Sequence, residues 1–204
     1  MEKNILWKAS GKVCAFSGYR PAKLPVSSES DPNCALLKLR LKEEVYSAVQ
    51  EGYSDFLCGM ALGTDTWAAE TVLEAAKTLQ GIKEVRLHAY LPFPGQDTRW
   101  SAKDRRRYHK IISQCDSVTV TSAQYLPDCM ERRNRAMVHR ADRLIAVFDG
   151  KSGGTKNTIR MAHEKGIEIR ILSPILPETV SQTKEQTNPL PPETERENQY
   201  RLFD

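Results

Sequence analysis

An apolar run of strand length, Leu144-Ile-Ala-Val-Phe-Asp149, ends at an aspartate. It turns through Gly150-Lys-Ser-Gly153-Gly154-Thr155 and then takes up helical spacing through Asn157, Thr158 and Ala162. This order constrains the fold strongly. A strand, a glycine turn and a helix in succession are how a parallel sheet sets the free N–H groups of a helix start beyond a strand end, where a phosphate or carboxylate is held.

The same alternation runs along the chain. Strands are predicted at Lys12–Phe16, Asp55–Cys58, Val85–Leu91, Ser117–Val120, the Leu144 run and Glu168–Leu172. Helices are predicted at about Cys34–Gln50, Gly63–Leu79, Thr98–Ser113 and Asp128–Arg140, and after Gly154. Strands alternating with helices predict an α/β fold: a doubly wound, mainly parallel sheet with helices on both faces. The 204 residues fit one domain with a buried core plus a tail. Residues 1–173 are read as the domain. From Pro174 the composition turns to Pro, Glu, Thr, Gln and Asn, which buries too little apolar surface to offset its ordering entropy, so 174–204 is expected to be a disordered polar tail.

No apolar run approaches the roughly 20 residues of a membrane span, and Met1–Trp7 lacks the layout of a signal peptide. The five cysteines show neither CxxC nor Cys/His ligand spacing. These features predict a cytoplasmic protein with reduced thiols, no membrane partner and no metal site. The net charge of +4 is uneven: residues 174–204 carry −3, leaving +7 on the body, which suits an anionic ligand.

In a doubly wound sheet, ligands lie beyond the carboxyl ends of the strands. Four of the predicted strands end in unusual loops: Ser17-Gly18-Tyr19-Arg20-Pro21, Gly59-Met-Ala-Leu-Gly63-Thr-Asp65-Thr-Trp67-Ala-Ala-Glu70, Pro92-Phe-Pro-Gly95-Gln96, and Asp149 with Gly153-Gly154-Thr155. Their convergence predicts a cleft for a small molecule. Backbone amides at Gly153 and Gly154, with the Thr155 hydroxyl, suit an anion; the alternative is a plain glycine turn with Thr155 as N-cap. Asp65 suits ribose hydroxyls or proton transfer, although a carboxylate in a first helical turn is also stabilised by the dipole alone. Glu70 divides evenly between surface and cleft. Tyr19 and Arg20 suit stacking on a base and pairing with phosphate. Asn134, flanked by Arg133 and Arg135, lies on the apolar stripe Met130–Met137–Val138–Ala141 and so needs partners in a buried network or a site. The basic stretch Arg99, Lys103, Arg106, Lys110 reads as one helical face; a solvated face is favoured there over a nucleic-acid surface. No Ser/His/Asp arrangement is readable from spacing.

Phe16-Ser-Gly-Tyr-Arg-Pro21, Gly59 to Glu70, Pro92-Phe-Pro-Gly-Gln96, Arg133-Asn-Arg-Ala-Met137 with Ala141-Asp142, and Gly153-Gly-Thr155 occur in that order. Together they resemble the YpsA-like branch of the SLOG superfamily, which also includes the DNA-processing protein DprA and the LOG phosphoribohydrolases. The resemblance covers roughly residues 11–172 and implies a Rossmann-like fold that binds nucleotides or nucleotide-derived ligands, in proteins regarded as sensors or regulators. The LOG hydrolases resemble a GGxGTxxE pattern whose glutamate and an upstream arginine serve catalysis; here Thr158 takes the glutamate position.

The leading expectation is therefore a cytoplasmic, regulatory binding protein for a nucleotide or an NAD/ADP-ribose-type ligand, with no required cofactor. Its expected ligand residues are Ser17, Gly18, Tyr19, Arg20, Gly59, Gly63, Asp65, Gln96, Arg133, Asn134, Asp149, Gly153, Gly154, Thr155 and Thr158. An N-glycosidic hydrolase using Asp65 or Glu70 and a DprA-like DNA-binding protein are the alternatives. A homo-oligomer is compatible with either.

Overall fold

Hydrophobic period decides which segments become strands and which become helices, and the computed structural model, describing residues 7–26 and 28–175, shows the result. The strands are β1 (Lys12–Ser17), β2 (Tyr53–Cys58), β3 (Arg86–Leu91), β4 (Ser117–Val120), β5 (Arg143–Val147) and β6 (Glu168–Leu172). Between them lie α1 (Pro32–Gln50), α2 (Thr64–Thr78), α3 (Ala102–Ile112), α4 (Cys129–Arg140) and α5 (Gly154–Lys165), with a turn of 3-10 helix at Pro21–Lys23. The six strands form one sheet, ordered β4-β3-β2-β1-β5-β6, and every neighbouring pair is parallel.

Alternation along each strand feeds two cores. Cys14, Phe16, Phe56, Cys58, Leu87 and Ala89 point to the side where Leu37, Leu41 and Val45 of α1 and Ala68 and Val72 of α2 pack, joined by Tyr108 and Ile111 of α3. Val13, Ala15, Leu57, Leu144 and Ala146 point to the opposite side, against Met137 and Val138 of α4 and Met161 and Ala162 of α5. Both faces are thus covered, as a parallel sheet requires.

Of the boundaries that move, two bear on the candidate surfaces. The helix predicted from Thr98 begins at Ala102, because Ser101 caps it: its hydroxyl accepts from Asp104 N at 3.1 Å and donates to the Asp104 carboxylate at 2.7 Å. Arg99 therefore precedes α3 and is not part of its face. β5 ends at Val147, so Asp149 stands two residues beyond the strand. The expected tail lies, apart from Pro174 and Ile175, outside the described residues.

At the amino-terminal part of the sheet, polar residues meet across three strands. His88 Nε2 contacts Asp55 Oδ1 at 2.9 Å and His88 Nδ1 contacts Ser117 Oγ at 2.8 Å. Asp55, fully buried at 0 %, also pairs with Arg86 at 2.7 Å and accepts from Ser10 N and Ser54 Oγ. Trp7 stacks flat on His88 with ring centroids 3.7 Å apart, and the Arg140 guanidinium covers the other side of Trp7. Burial holds the His88 imidazole below its ordinary pKa although Asp55 pulls the other way. Nearby, Arg143 of β5 pairs with Glu51 and with Glu168 and lies over the Tyr53 ring.

Candidate functional site

The chain lays down β1 to β4 in one direction and then crosses back through α4 to set β5 beside β1. The loops after these two strands diverge there, and the opening between them is the place where doubly wound sheets take ligands. A cavity of about 360 Å³ occupies it, near the lower end of the range for small-molecule sites.

The first wall is the loop after β1, where Ser17, Gly18, Tyr19 and Arg20 all line the cavity. The Tyr19 carbonyl accepts from Thr64 N at 3.2 Å and from Thr64 Oγ1 at 3.1 Å, which clips this loop to the start of α2. Gly63, the residue before α2, has φ +87, and a Cβ there would stand 2.7 Å from Tyr19 O; a side chain at this position would break the clip. The Tyr19 hydroxyl donates to Asp149, whose carboxylate also pairs with Lys151 at 2.7 Å. Those two contacts, Lys151 foremost, push the Asp149 pKa down to about 2. Asp149 thus braces Tyr19 from behind.

The floor holds a buried ion pair. Asp65, in the first turn of α2, accepts from Ala61 N at 3.2 Å and lies 3.6 Å from Arg133 Nη1 of α4. That separation is Coulombic contact, longer than a hydrogen bond. Arg133 is only 6 % exposed, and its Nε and Nη1 have no hydrogen-bond partner among the described residues. Burial raises the Asp65 pKa and lowers that of Arg133, and each partner opposes the other's shift. The arginine reaches this position across Gly59, where a Cβ would sit 1.6 Å from Nη1. Any side chain at 59 would displace the guanidinium.

The third wall is the start of α5. Gly153 caps it without any side-chain hydrogen bond, and Gly154 and Thr155 line the cavity. The first-turn N–H groups are therefore uncapped and carry the positive end of the helix dipole. Thr155 lies inside the first turn and is not the cap. Asn134 lines the cavity as well, and its Nδ2 donates to Thr158 Oγ1 at 2.9 Å; that hydroxyl in turn donates to Gly154 O.

Nine of the fifteen expected ligand residues thus face one cavity: Ser17, Gly18, Tyr19, Arg20, Asp65, Arg133, Asn134, Gly154 and Thr155. Gly59, Gly63, Asp149, Gly153 and Thr158 stand behind its walls in the roles described. Gln96 also stands back, its Nε2 donating to Met60 O at 3.1 Å and tying the loop after β3 to the cavity floor. Glu70 is elsewhere: it pairs with Arg107 at 2.6 Å, and Arg107 also holds Glu29, on the outer side of α2. Sequence reasoning missed Phe16, Ala22, Lys23, Ala61 and Met130, which also line the cavity. A signal for Lys23 existed, since a proline opening a short helix at Pro21 brings Lys23 round beside Arg20. The charged lining is thus Arg20, Lys23 and Arg133 against the single carboxylate of Asp65. Among the described residues no group of three or more His, Cys, Asp or Glu is arranged to hold a metal ion, and no helix is long and apolar enough to cross a membrane.

Comparison with known proteins agrees with this architecture. The model of the YpsA family, described as YspA SLOG family, matches residues 14–172. UPF0398 proteins of Bacillus thuringiensis strain Al Hakam and Bacillus cereus strain B4264 are each 30% identical over 158 residues, covering 76% of this chain and 84% of the relative. Among solved structures, DNA processing protein A from Helicobacter pylori, described with a single-stranded DNA binding mode, superposes with a TM-score of 0.54 at 17% identity, covering 84% of this chain and 67% of that one. DprA from Streptococcus pneumoniae gives 0.52 at 19%, covering 83% of this chain and 52% of that one. At these identities the likeness is one of fold.

Proposed function

This chain belongs to the YpsA SLOG family, and from that membership and its cleft we propose that it is a cytoplasmic binding protein, regulatory in role, for a nucleotide or nucleotide-derived ligand of the NAD/ADP-ribose type. The observation that carries the reading is the uncapped start of α5, opening on a cavity whose charged lining is three cations and one buried carboxylate. A phosphate fits against the Gly154 and Thr155 amides with Lys23 beside it, since Lys23 Nζ lies 3.1 Å from where a Cβ on Gly153 would be. In this reading Asp65 accepts from ribose hydroxyls, the exposed Arg20 packs on a base beside the largely buried Tyr19, and the free N–H groups of Arg133 meet a further acceptor. Thermal unfolding with AMP, ADP, ADP-ribose and NAD tests this. A true ligand at about 100 times its Kd adds about 2.7 kcal/mol, a rise of roughly 5–10 °C at this chain length. No rise with any of the four at millimolar concentration overturns the reading.

One observation favours a second reading, an N-glycosidic hydrolase. Asp65, with its raised pKa, stands beside a buried arginine in the cavity wall, the placement of a proton donor. Glu70, turned to Arg107, lies too far round α2 to share that task. Chromatography after incubation separates the readings. Free base released by the protein and lost in Asp65→Asn establishes the hydrolase; a bound ligand recovered intact excludes it.

A further inference from the structure

Several exposed cations of this protein are paired locally, while others, such as Lys8, Lys77 and Lys156, stand singly on separate segments without an ion-pair partner among the described residues. Arg132 and Arg135 of α4, Arg160 of α5 and Arg170 of β6 each pair with a carboxylate two or four residues away along the chain. This is the ordinary way a charged surface neutralises itself. The helix α3 is built differently. Its only acid, Asp104, is held by the capping Ser101, and the basic residues of its inner flanks, Arg105, Arg107 and His109, contact Asp97, Glu70 and Glu29. Lys103, Arg106 and Lys110 are exposed at three- and four-residue spacing and have no ion-pair partner among the described residues; neither has exposed Arg99, just before the helix.

We propose that Lys103, Arg106 and Lys110, with Arg99, form a nucleic-acid surface that binds the phosphate backbone without reading sequence, separate from the nucleotide cleft. The three helical cations span about 10 Å along the axis at about 1.5 Å per residue, and a duplex presents one phosphate charge about every 1.7 Å. An anionic membrane fits less well, because a helix lying on lipid needs a free apolar face, and that of α3 is spent on Tyr108 and Ile111 in the core. An acidic protein fits less well too, since no large hydrophobic side chain of α3 is exposed to serve as an anchor.

The test is fluorescence anisotropy with two labelled duplexes of unrelated sequence across a salt series. Four phosphate contacts predict a log–log salt slope of about −3.6, a fall on the order of 100-fold between about 50 and 200 mM salt, alike for both sequences. Replacing Arg99, Lys103, Arg106 and Lys110 together by alanine is expected to weaken binding at least tenfold and flatten the slope, with the unfolding midpoint unchanged. The same replacement of Arg132, Arg135 and Arg160 is expected to leave binding within twofold. The proposal is overturned by absence of binding at about 50 mM salt, by equal affinity in the fourfold variant, or by tighter binding to phosphatidylglycerol vesicles than to either duplex.

Discussion

Both ends of the sheet bury charge, and they do so in opposite ways. At the amino-terminal part, Asp55 is met by Arg86, His88, Ser54 and the Ser10 amide, and Arg143 by two glutamates and a tyrosine ring. At the carboxyl end, Arg133 has one carboxylate, beyond hydrogen-bonding distance, and two N–H positions without partners, whereas Arg86 and Arg143 each leave one such position but hold a carboxylate within hydrogen-bonding distance. A buried donor without a partner costs roughly 1–3 kcal/mol. The first arrangement holds the fold together. The second leaves donors without partners, and it is the one facing a cavity.

The comparison can be broken by mutation. The largest effect is expected for Asp55→Asn, which leaves Arg86 without its buried counter-charge and should cost about 3–5 kcal/mol by urea unfolding. If this variant unfolds at the wild-type denaturant concentration, the amino-terminal network is not structural. Next comes Gly59→Ala, which forces the Arg133 guanidinium aside. An overpacking cost of about 1–3 kcal/mol is expected, together with loss of any nucleotide-induced thermal shift.

Acid should also act on the amino-terminal network. Burial lowers the His88 pKa in the folded state, so below its ordinary value of 6.5 the unfolded chain binds the extra proton first. Stability should be full above about pH 6.5 and fall as pH drops from there toward the folded-state pKa. Below the ordinary Asp55 value of 3.8, protonation of that carboxylate, whose folded pKa is also lowered, should remove more. Urea midpoints at pH 7 and pH 5.5 measure the first step, and His88→Gln should flatten it. An equal slope in both proteins assigns the acid sensitivity to other groups. The smallest stability change is expected for Arg133→Met, within about 1 kcal/mol of wild type, because the arginine is poorly paired to begin with and burial already pushes the Asp65 carboxyl it leaves behind toward its neutral form. Calorimetric titration should nevertheless find ligand binding abolished. A cost as large as that of Asp55→Asn would mean that the two ends are not different in kind.

Much of this was readable in the chain. Every strand and helix of the sheet was expected to within a few residues, since each carries its own period, punctuated in places by glycine, as with Gly63 before α2. The glycine loops announced the cleft because glycine has a local reason to be there. What could not be read was pairing between distant elements. Ser117, His88 and Asp55 lie on three strands and have no sequence spacing to betray them. The even odds for Glu70 turned on Arg107, a residue 37 positions away. Thr158 carried a family signal, yet its hydroxyl is committed to Asn134 and Gly154, a matter of helix packing.

The contact from Tyr19 to Asp149 spans 130 positions of the chain. During synthesis at about 5–20 residues per second, the loop after β1 emerges on the order of ten seconds before the start of α5 exists. A ribosome-bound chain truncated anywhere before α5 has no pocket to fill. Anything that fills this cavity can therefore stabilise only chains made through the start of α5, and cannot assist the folding of the earlier strands as they emerge.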